Sequence, residues 1–361
     1  MTSALDSSSL SRFERASLSG GPELARALEW VARKLAVFPE VAAPSAGEVL
    51  QLLGCAQFYG SFGWDSRPAN FFEAVSAPAE VKVSELASLE AGSVLDLTFS
   101  SSYRYQFSAY RRDYQNFPEN QTVYARWWRH TAAPRGLVYA LHPWGMGDVR
   151  VSSLTLGPGQ FYKQGFDVVL IELPFHGRRS AQMRVDFTPL TQSVRINEAI
   201  GQAIADLRCL RLWMEQQRRV PSGTLGMSLG AYIGGLWGSL DRLDFNLALA
   251  PMVSLSELSW TLLRSTRSIA ALKSSGLSRD LLQRAFNVHD LFSYQSQVPR
   301  AANLIVAGLA DPYVPAPLTK RLWQHWQQPS IRWVRGGHVA HLRRSQVFDE
   351  VIGFLCTALK S

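Results

Sequence analysis

Thr224 to Gly235 reads TLGMSLGAYIGG, one serine held between two glycines and followed by a run of small residues. The core of it, Gly226-Met227-Ser228-Leu229-Gly230, is the chain's single copy of the pattern G-x-S-x-G. With Gly and Ser each near ~7% of residues, a chain this long shows that pattern by accident about once in ten sequences. The physical reading is a serine on a sharp strand-to-helix turn, in backbone geometry that few residues tolerate. Small residues two positions to either side let neighbouring backbone pass close to the turn. The rival reading is a glycine-rich turn whose serine merely caps a helix. Context decides between them: a strand before, a helix after, and chemical partners downstream.

The chain has 361 residues, 47% hydrophobic and 18% charged, enough to bury a sizeable core. No apolar run reaches the length of a membrane span. The first twenty residues or so are serine-rich, carry Asp6 and lack an apolar h-region, which predicts a disordered tail rather than a secretory signal. Cys55, Cys209 and Cys356 are widely spaced and form no C-x-x-C pair, against a disulfide framework or zinc site and in keeping with a reducing cytoplasm. The net charge of +8 is spread along the chain, with no motif that binds nucleic acid. It reads as a solvated basic surface, leaving room for weak contact with anionic membranes.

Outward from the serine, the chain alternates apolar strands with helices. GLVYALHPWG and FDVVLIELPFHG read as buried strands, and LTLGPGQFYKQG between them as a weak helix. A long helix follows from about Val194 to Gln217, with Ile196, Ile200, Ile204, Leu207 and Met214 on one face. SGTLGMS enters the serine turn as a strand and LGAYIGGLWGSL leaves it as a helix. FNLALAPM, ANLIVAGLAD and SIRWVRGGH are further strands, and a closing helix carries Val347, Val351, Phe354 and Leu355. Such alternation means a mostly parallel sheet covered on both faces, with ligands at the carboxyl ends of its strands. Upstream, Pro22 to Phe38 reads as an amphipathic helix, and GEVLQLLGCAQFYGSFGW as a helix that glycines later break. SVLDLTFSS, YRYQFSAY and TVYARWWRH read as strands that join the sheet as an antiparallel edge.

A serine hydroxyl needs a base to take its proton and a third group to orient that base. After ANLIVAGLAD stands Asp311, and after SIRWVRGGH stands His338. The order Ser228, Asp311, His338 is the order of one known fold. Glu257 is the rival acid, although it falls inside a predicted helix. His341 is the rival histidine, a turn further along, where the closing helix should begin. His142 and His176 read as structural loop residues, because no set of His, Cys and carboxylates forms a metal site around them.

Taken together, these blocks resemble the α/β-hydrolase superfamily. GMSLG is similar to its nucleophile elbow, GLADPYVP to its acid loop, GGHVAH to its histidine loop, LHPWGMG to its oxyanion loop and LPFHGRRS to the loop after the fourth strand. They stand in family order from about Thr122 to Ser361, and esterases of the dienelactone-hydrolase and acetyl-esterase type look nearest. The resemblance implies a serine esterase with Ser228 as nucleophile, His338 as base and Asp311 as the orienting acid. The same triad acting on a thioester or amide, or as an acyltransferase, is the alternative, and a non-catalytic binding protein on the same scaffold is the alternative of another class. The backbone amides of Leu229 and Trp144 would hold the oxyanion, with no cofactor or metal. Pro143 stands where that family usually has glycine; lacking an N–H, it leaves the donor to Trp144.

The expected organisation is a tail over 1–20, an extension of helices then edge strands over 21–115, and an α/β-hydrolase domain over 116–361. About fifty residues separate two strands between Val253 and Arg300, too many for a simple connection. LSELSWTLLRSTRSIAALKSS and LSRDLLQRAFNVHDLF within it predict a small helical cap. Its apolar residues would line an acyl pocket for a small-molecule or lipid-like ester, and Arg264, Arg267, Lys273, Arg279 and Arg284 would attract an anionic headgroup. An ordinary helical excursion packed on the sheet is the alternative.

Overall fold

Strands β4 (Leu137–Leu141), β5 (Asp167–Ile171), β6 (Ser222–Met227), β7 (Phe245–Leu249) and β8 (Asn303–Gly308) are buried at every residue. That is why they read as continuous apolar runs rather than alternating ones. A computed structural model describes residues 45–64, 66–180, 193–264, 269–274, 276–338 and 345–360. In it the five strands join β1 (Lys82–Leu89), β2 (Gly92–Ser100), β3 (Thr122–His130) and β9 (Ser330–Val334) in one nine-stranded sheet of order β1-β2-β3-β5-β4-β6-β7-β8-β9. Pairing is antiparallel from β1 through β3 to β5 and parallel from β5 through β4 to β9. The sheet therefore runs without a break across position 115.

Successive side chains of each strand feed opposite faces. Tyr139 and Leu141 point into one core and Val138 and Ala140 into the other. Helices α1 (Ala46–Ser61), α2 (Arg111–Gln115), α3 (Val149–Leu156), α4 (Pro158–Lys163), α5 (Ser193–Gln217) and α6 (Leu229–Leu240) precede β7. Following β7 come α7 (Leu255–Arg264), α8 (Ile269–Ser274), α9 (Arg279–Phe286), α10 (Ala316–His325) and α11 (Ser345–Ala358). The first core takes α1, α5, α6, α9 and α10, and the second takes α3, α4 and α11. α1 opens on a reciprocal capping box, with Ser45 accepting from the Glu48 amide and the Glu48 carboxylate accepting from the Ser45 amide.

Three local expectations change. YRYQFSAY is not a strand: residues 103–107 form no ladder, and Ser108–Tyr110 make a short 3-10 turn. The amides of Gln106 and Phe107 and the Tyr103 hydroxyl are spent on the buried Glu198 carboxylate of α5, at 2.9, 3.1 and 3.1 Å. The single weak helix around Gly157 is two helices, because Gly157 takes a left-handed conformation (φ 57°) between α3 and α4. α10, between β8 and β9, has no counterpart in the sequence reading. The expected tail and the helix over Pro22 to Phe38 lie outside the described residues.

The insertion after β7 is packed rather than loose. Leu281, Leu282, Ala285 and Phe286 of α9 are buried in the core that α1 also enters. Asn197 of α5 donates to the Ala285 carbonyl at 2.8 Å, and its side-chain oxygen accepts from His289 Nε2 at 2.8 Å. The Tyr232 hydroxyl of α6 lies 2.7 Å from His289 Nδ1. The expected basic face is partly spent within the protein. Arg279 clasps Glu257, Arg284 pairs with Asp280 at 3.1 Å, and the Lys273 ammonium lies 5.7 Å from the Trp260 ring. Arg267 and the side chain of Arg264 lie outside the described residues. Among the described helices none is long and apolar enough to cross a membrane.

Candidate active site

β6 ends at Met227 and α6 begins at Leu229, so the whole reversal of the chain falls on Ser228. Its dihedrals, φ 51° and ψ −111°, are ones that a residue with a Cβ adopts only under constraint. The constraint is visible. The Ser228 amide donates to the Leu249 carbonyl at 3.0 Å, and the Ser228 carbonyl accepts from Tyr232 at 3.0 Å and Met252 at 3.2 Å. The flanking glycines answer a steric demand. A Cβ on Gly226 would fall on the Gly230 carbonyl, and one on Gly230 would fall on the Leu141 carbonyl at the end of β4. The small residues around Ser228 are thus what allows α6 to leave the sheet so close to β4.

Two loops at the same edge of the sheet bring polar groups to that hydroxyl. His338, just after β9, places Nε2 2.9 Å from Ser228 Oγ. Its other nitrogen, Nδ1, lies 2.6 Å from Asp311 Oδ2, in the loop after β8. The carboxylate is itself fixed, because Oδ1 accepts from the amides of Tyr313 and Val314, both at 2.9 Å. An Nδ1–H donated to the carboxylate leaves Nε2 with a lone pair facing the serine proton. Ser228, Asp311 and His338 are 7, 8 and 7% exposed, so the chain of bonds is shielded from water. The Tyr313 ring stands edge-on to His338 at 5.5 Å.

Glu257 is elsewhere. It sits on α7 with its carboxylate held by Arg279 at 2.5 Å and Arg321 at 3.5 Å, and makes no bond to His338. His341 lies outside the described residues. Cys55 is an unsuitable nucleophile, since burial pushes its thiol up to about 12. Among the described residues no group of three or more His, Cys, Asp and Glu could hold a metal ion.

Leu229, the first residue of α6, has an amide that no carbonyl within its helix can accept, at the positive end of the helix dipole. Trp144 stands in the loop after β4, and both side chains line the same crevice. His142, which the sequence reads as a structural loop residue, organises this loop with its ring. His142 Nδ1 donates to the Pro143 carbonyl at 2.9 Å, and Nε2 accepts from the Leu173 amide at 3.0 Å. The Met146 amide also donates to the Pro143 carbonyl, at 3.3 Å. A peptide unit is planar and trans, so fixing the Pro143 oxygen fixes the direction of the Trp144 N–H on its opposite side. Burial, with His176 adding to it, pushes His142 down to about 3, and burial takes His176 to about 4. Both rings are therefore neutral, as the two-sided bonding of His142 requires. The only advance signal was position: a histidine directly before the Pro-Trp pair.

No family model matches the chain. An uncharacterized protein of Mycobacterium tuberculosis (strain CDC 1551 / Oshkosh) is 27% identical over 300 residues, covering 81% of this chain and 70% of that protein. An uncharacterized protein of strain ATCC 25618 / H37Rv matches to the same extent. Among solved structures, acetyl xylan esterase 1 from Thermoanaerobacterium sp. JW/SL YS485 superposes with a TM-score of 0.57 at 13% identity, over 82% of this chain and 92% of that one. An acetyl xylan esterase from Paenibacillus sp. R4 gives 0.55 at 14% identity, over 91% and 98%.

Proposed function

A member of the α/β-hydrolase superfamily by its fold, this chain is, we propose, a serine hydrolase that cleaves a carboxylic ester through an acyl-enzyme. The observation that carries the reading is the continuous chain from Ser228 Oγ through His338 to Asp311. His338 Nε2 takes the serine proton as Oγ bonds to the ester carbonyl carbon. The carbonyl oxygen becomes an oxyanion between the amides of Leu229 and Trp144. The intermediate collapses, the alcohol oxygen leaves with the proton from Nε2, and the acyl group stays on Ser228. Water then repeats the sequence: His338 takes its proton, the acid departs, and Ser228 regains its hydrogen. Asp311 keeps Nδ1 as the donor and stabilises the imidazolium in both halves.

This reaction needs no cofactor or metal. Leu255 of the insertion lines the crevice beside Trp144 and Leu229, and the substrate is a small molecule. Three cysteines without a disulfide among them suit a reducing, cytoplasmic setting. The test is covalent labelling with a fluorophosphonate probe beside turnover of p-nitrophenyl acetate. Ser228→Ala should abolish labelling and lower kcat about 10⁴-fold or more with the fold intact. A folded Ser228→Ala protein that labels or hydrolyses within tenfold of the parent refutes the reading. Absence of labelling in the parent itself would leave a binding protein on a hydrolase scaffold.

A further inference from the structure

The ester reading leaves the acyl group open, and the crevice beside the oxyanion donors limits it. Trp144 and Leu229 form one side of this crevice, and Ile196, Ile200, Ile233 and Leu255 are among the side chains closing it. A carbonyl attacked by Ser228 with its oxygen between those two amides has two further substituents. The leaving oxygen must reach His338 Nε2, on the side of Asp311 and Tyr313. The acyl chain is left with the crevice. Its volume is about 20 Å³, little more than the roughly 10–15 Å³ that admits one water-sized group.

The walls are poorly placed to yield. Between Ile196 and Ile200 on α5 stand Asn197 and Glu198, both fully buried and both bonded outward. Asn197 ties the helix to the Ala285 carbonyl and His289. Glu198 accepts from the hydroxyls of Tyr59 and Tyr103 and from two backbone amides. Leu255 is bracketed in the same way, because the hydroxyls of Ser254 and Ser256 on either side both bond Asp290. A longer chain would have to break buried polar bonds to make room, whereas ordinary apolar walls shift at less cost. The apolar face of α9 is already spent on α1 and α5, so it offers no alternative groove to a fatty chain.

We infer that the site takes esters of short acyl groups, acetyl or propionyl, and that Ile200 and Leu255 set the limit. The inference rests on the ester-hydrolase reading, and the experiment separates the two. The parent protein is assayed on p-nitrophenyl acetate, propionate, butyrate, hexanoate and octanoate, with fluorophosphonate labelling of Ser228 run in parallel. kcat/KM should be highest for acetate or propionate and at least tenfold lower at hexanoate. Ile200→Ala, and Leu255→Ala as a second variant should the first fail to fold, should raise the hexanoate-to-acetate ratio by tenfold or more. Full labelling with equal rates on acetate and octanoate overturns the size limit and leaves the hydrolase reading standing. A steep parent preference that neither folded variant relaxes overturns the assignment to Ile200 and Leu255. Loss of both labelling and turnover on every ester overturns the function and the limit together.

Discussion

Asp311→Asn exchanges one carboxylate oxygen for an amino group and leaves the shape of the side chain unchanged. The structure dictates which oxygen goes. Oδ1 accepts from two backbone amides, Tyr313 and Val314, and an NH₂ group placed there would face two donors. The amide oxygen must therefore stay at Oδ1, and the NH₂ must face His338 Nδ1, 2.6 Å from the atom it replaces. An NH₂ donates, so Nδ1 has to become the acceptor and the ring proton has to move to Nε2. That proton then points at Ser228 Oγ, 2.9 Å away, and the base can no longer take the serine hydrogen. The expected cost is about 10⁴-fold in kcat, the size found for the same tautomer error in another triad and about 5.5 kcal/mol of barrier. KM should change little, since Asp311 does not line the acyl crevice, and the melting temperature should hold because both loop amides keep an acceptor. Glu257→Gln, at a carboxylate engaged by Arg279 and Arg321, should cost less than tenfold. Steady-state kinetics on p-nitrophenyl acetate, with thermal melts as the folding control, decide the matter. An Asp311→Asn enzyme within tenfold of the parent, or the reverse ranking of the two variants, refutes the argument.

Gly230→Ala should destabilise the protein by more than ~3 kcal/mol or prevent folding, because its Cβ would fall on the β4 backbone; a urea midpoint within 0.5 M of the parent would contradict this. Asp206→Asn leaves the fully buried Arg179 guanidinium without the carboxylate it meets at 2.8 Å and should cost roughly 3–5 kcal/mol, read from the same unfolding curves. His142, His176 and His289 are pushed down to about 3, 4 and 3, chiefly by burial. Below their ordinary value of about 6.5 the unfolded chain takes up protons that the folded chain refuses. Stability present above pH 6.5 should therefore fall on acidification, by about 1.4 kcal/mol per pH unit for each of the three, toward pH 4. Flat stability between pH 6.5 and 4.5 would show that these rings are protonated in place.

The elements that sequence reasoning found are those whose residue types answer a local demand. Gly226 and Gly230 are needed where backbone passes within a carbonyl's reach, so the serine turn was readable from its spacing once the strand before it, the helix after it and the downstream partners were counted. The central strands were readable because burial on both faces makes them mostly apolar, with the few polar exceptions, such as Thr224, Asn246 and Asn303, bonded to one another or to neighbours. Ser228, Asp311 and His338 were legible as an order, and the structure puts His338 within hydrogen-bonding distance of each of the other two. Tertiary partners hid the rest. Residues 103–107 have a strand's aromatic texture, but their donors meet a carboxylate nearly a hundred positions away. The bonds by which His142 organises its own loop depend on a second loop, which it meets at Leu173 and His176. Glu198 and Asp206 look like solvated helix positions until the chain folds over both faces of α5.

α1 and α9 meet across 230 positions, from Cys55 to Ala285. At a translation rate of about 5–20 residues per second, roughly 10–50 s pass between synthesis of the two surfaces. For that interval Val49, Leu52, Ala56 and Tyr59 have no α9 to lie against, although the β1–β2–β3 meander and the serine turn can already form. A nascent chain in that state carries an adhesive stripe near its start. That stripe gains its α9 cover only once residues 279–286 have been made.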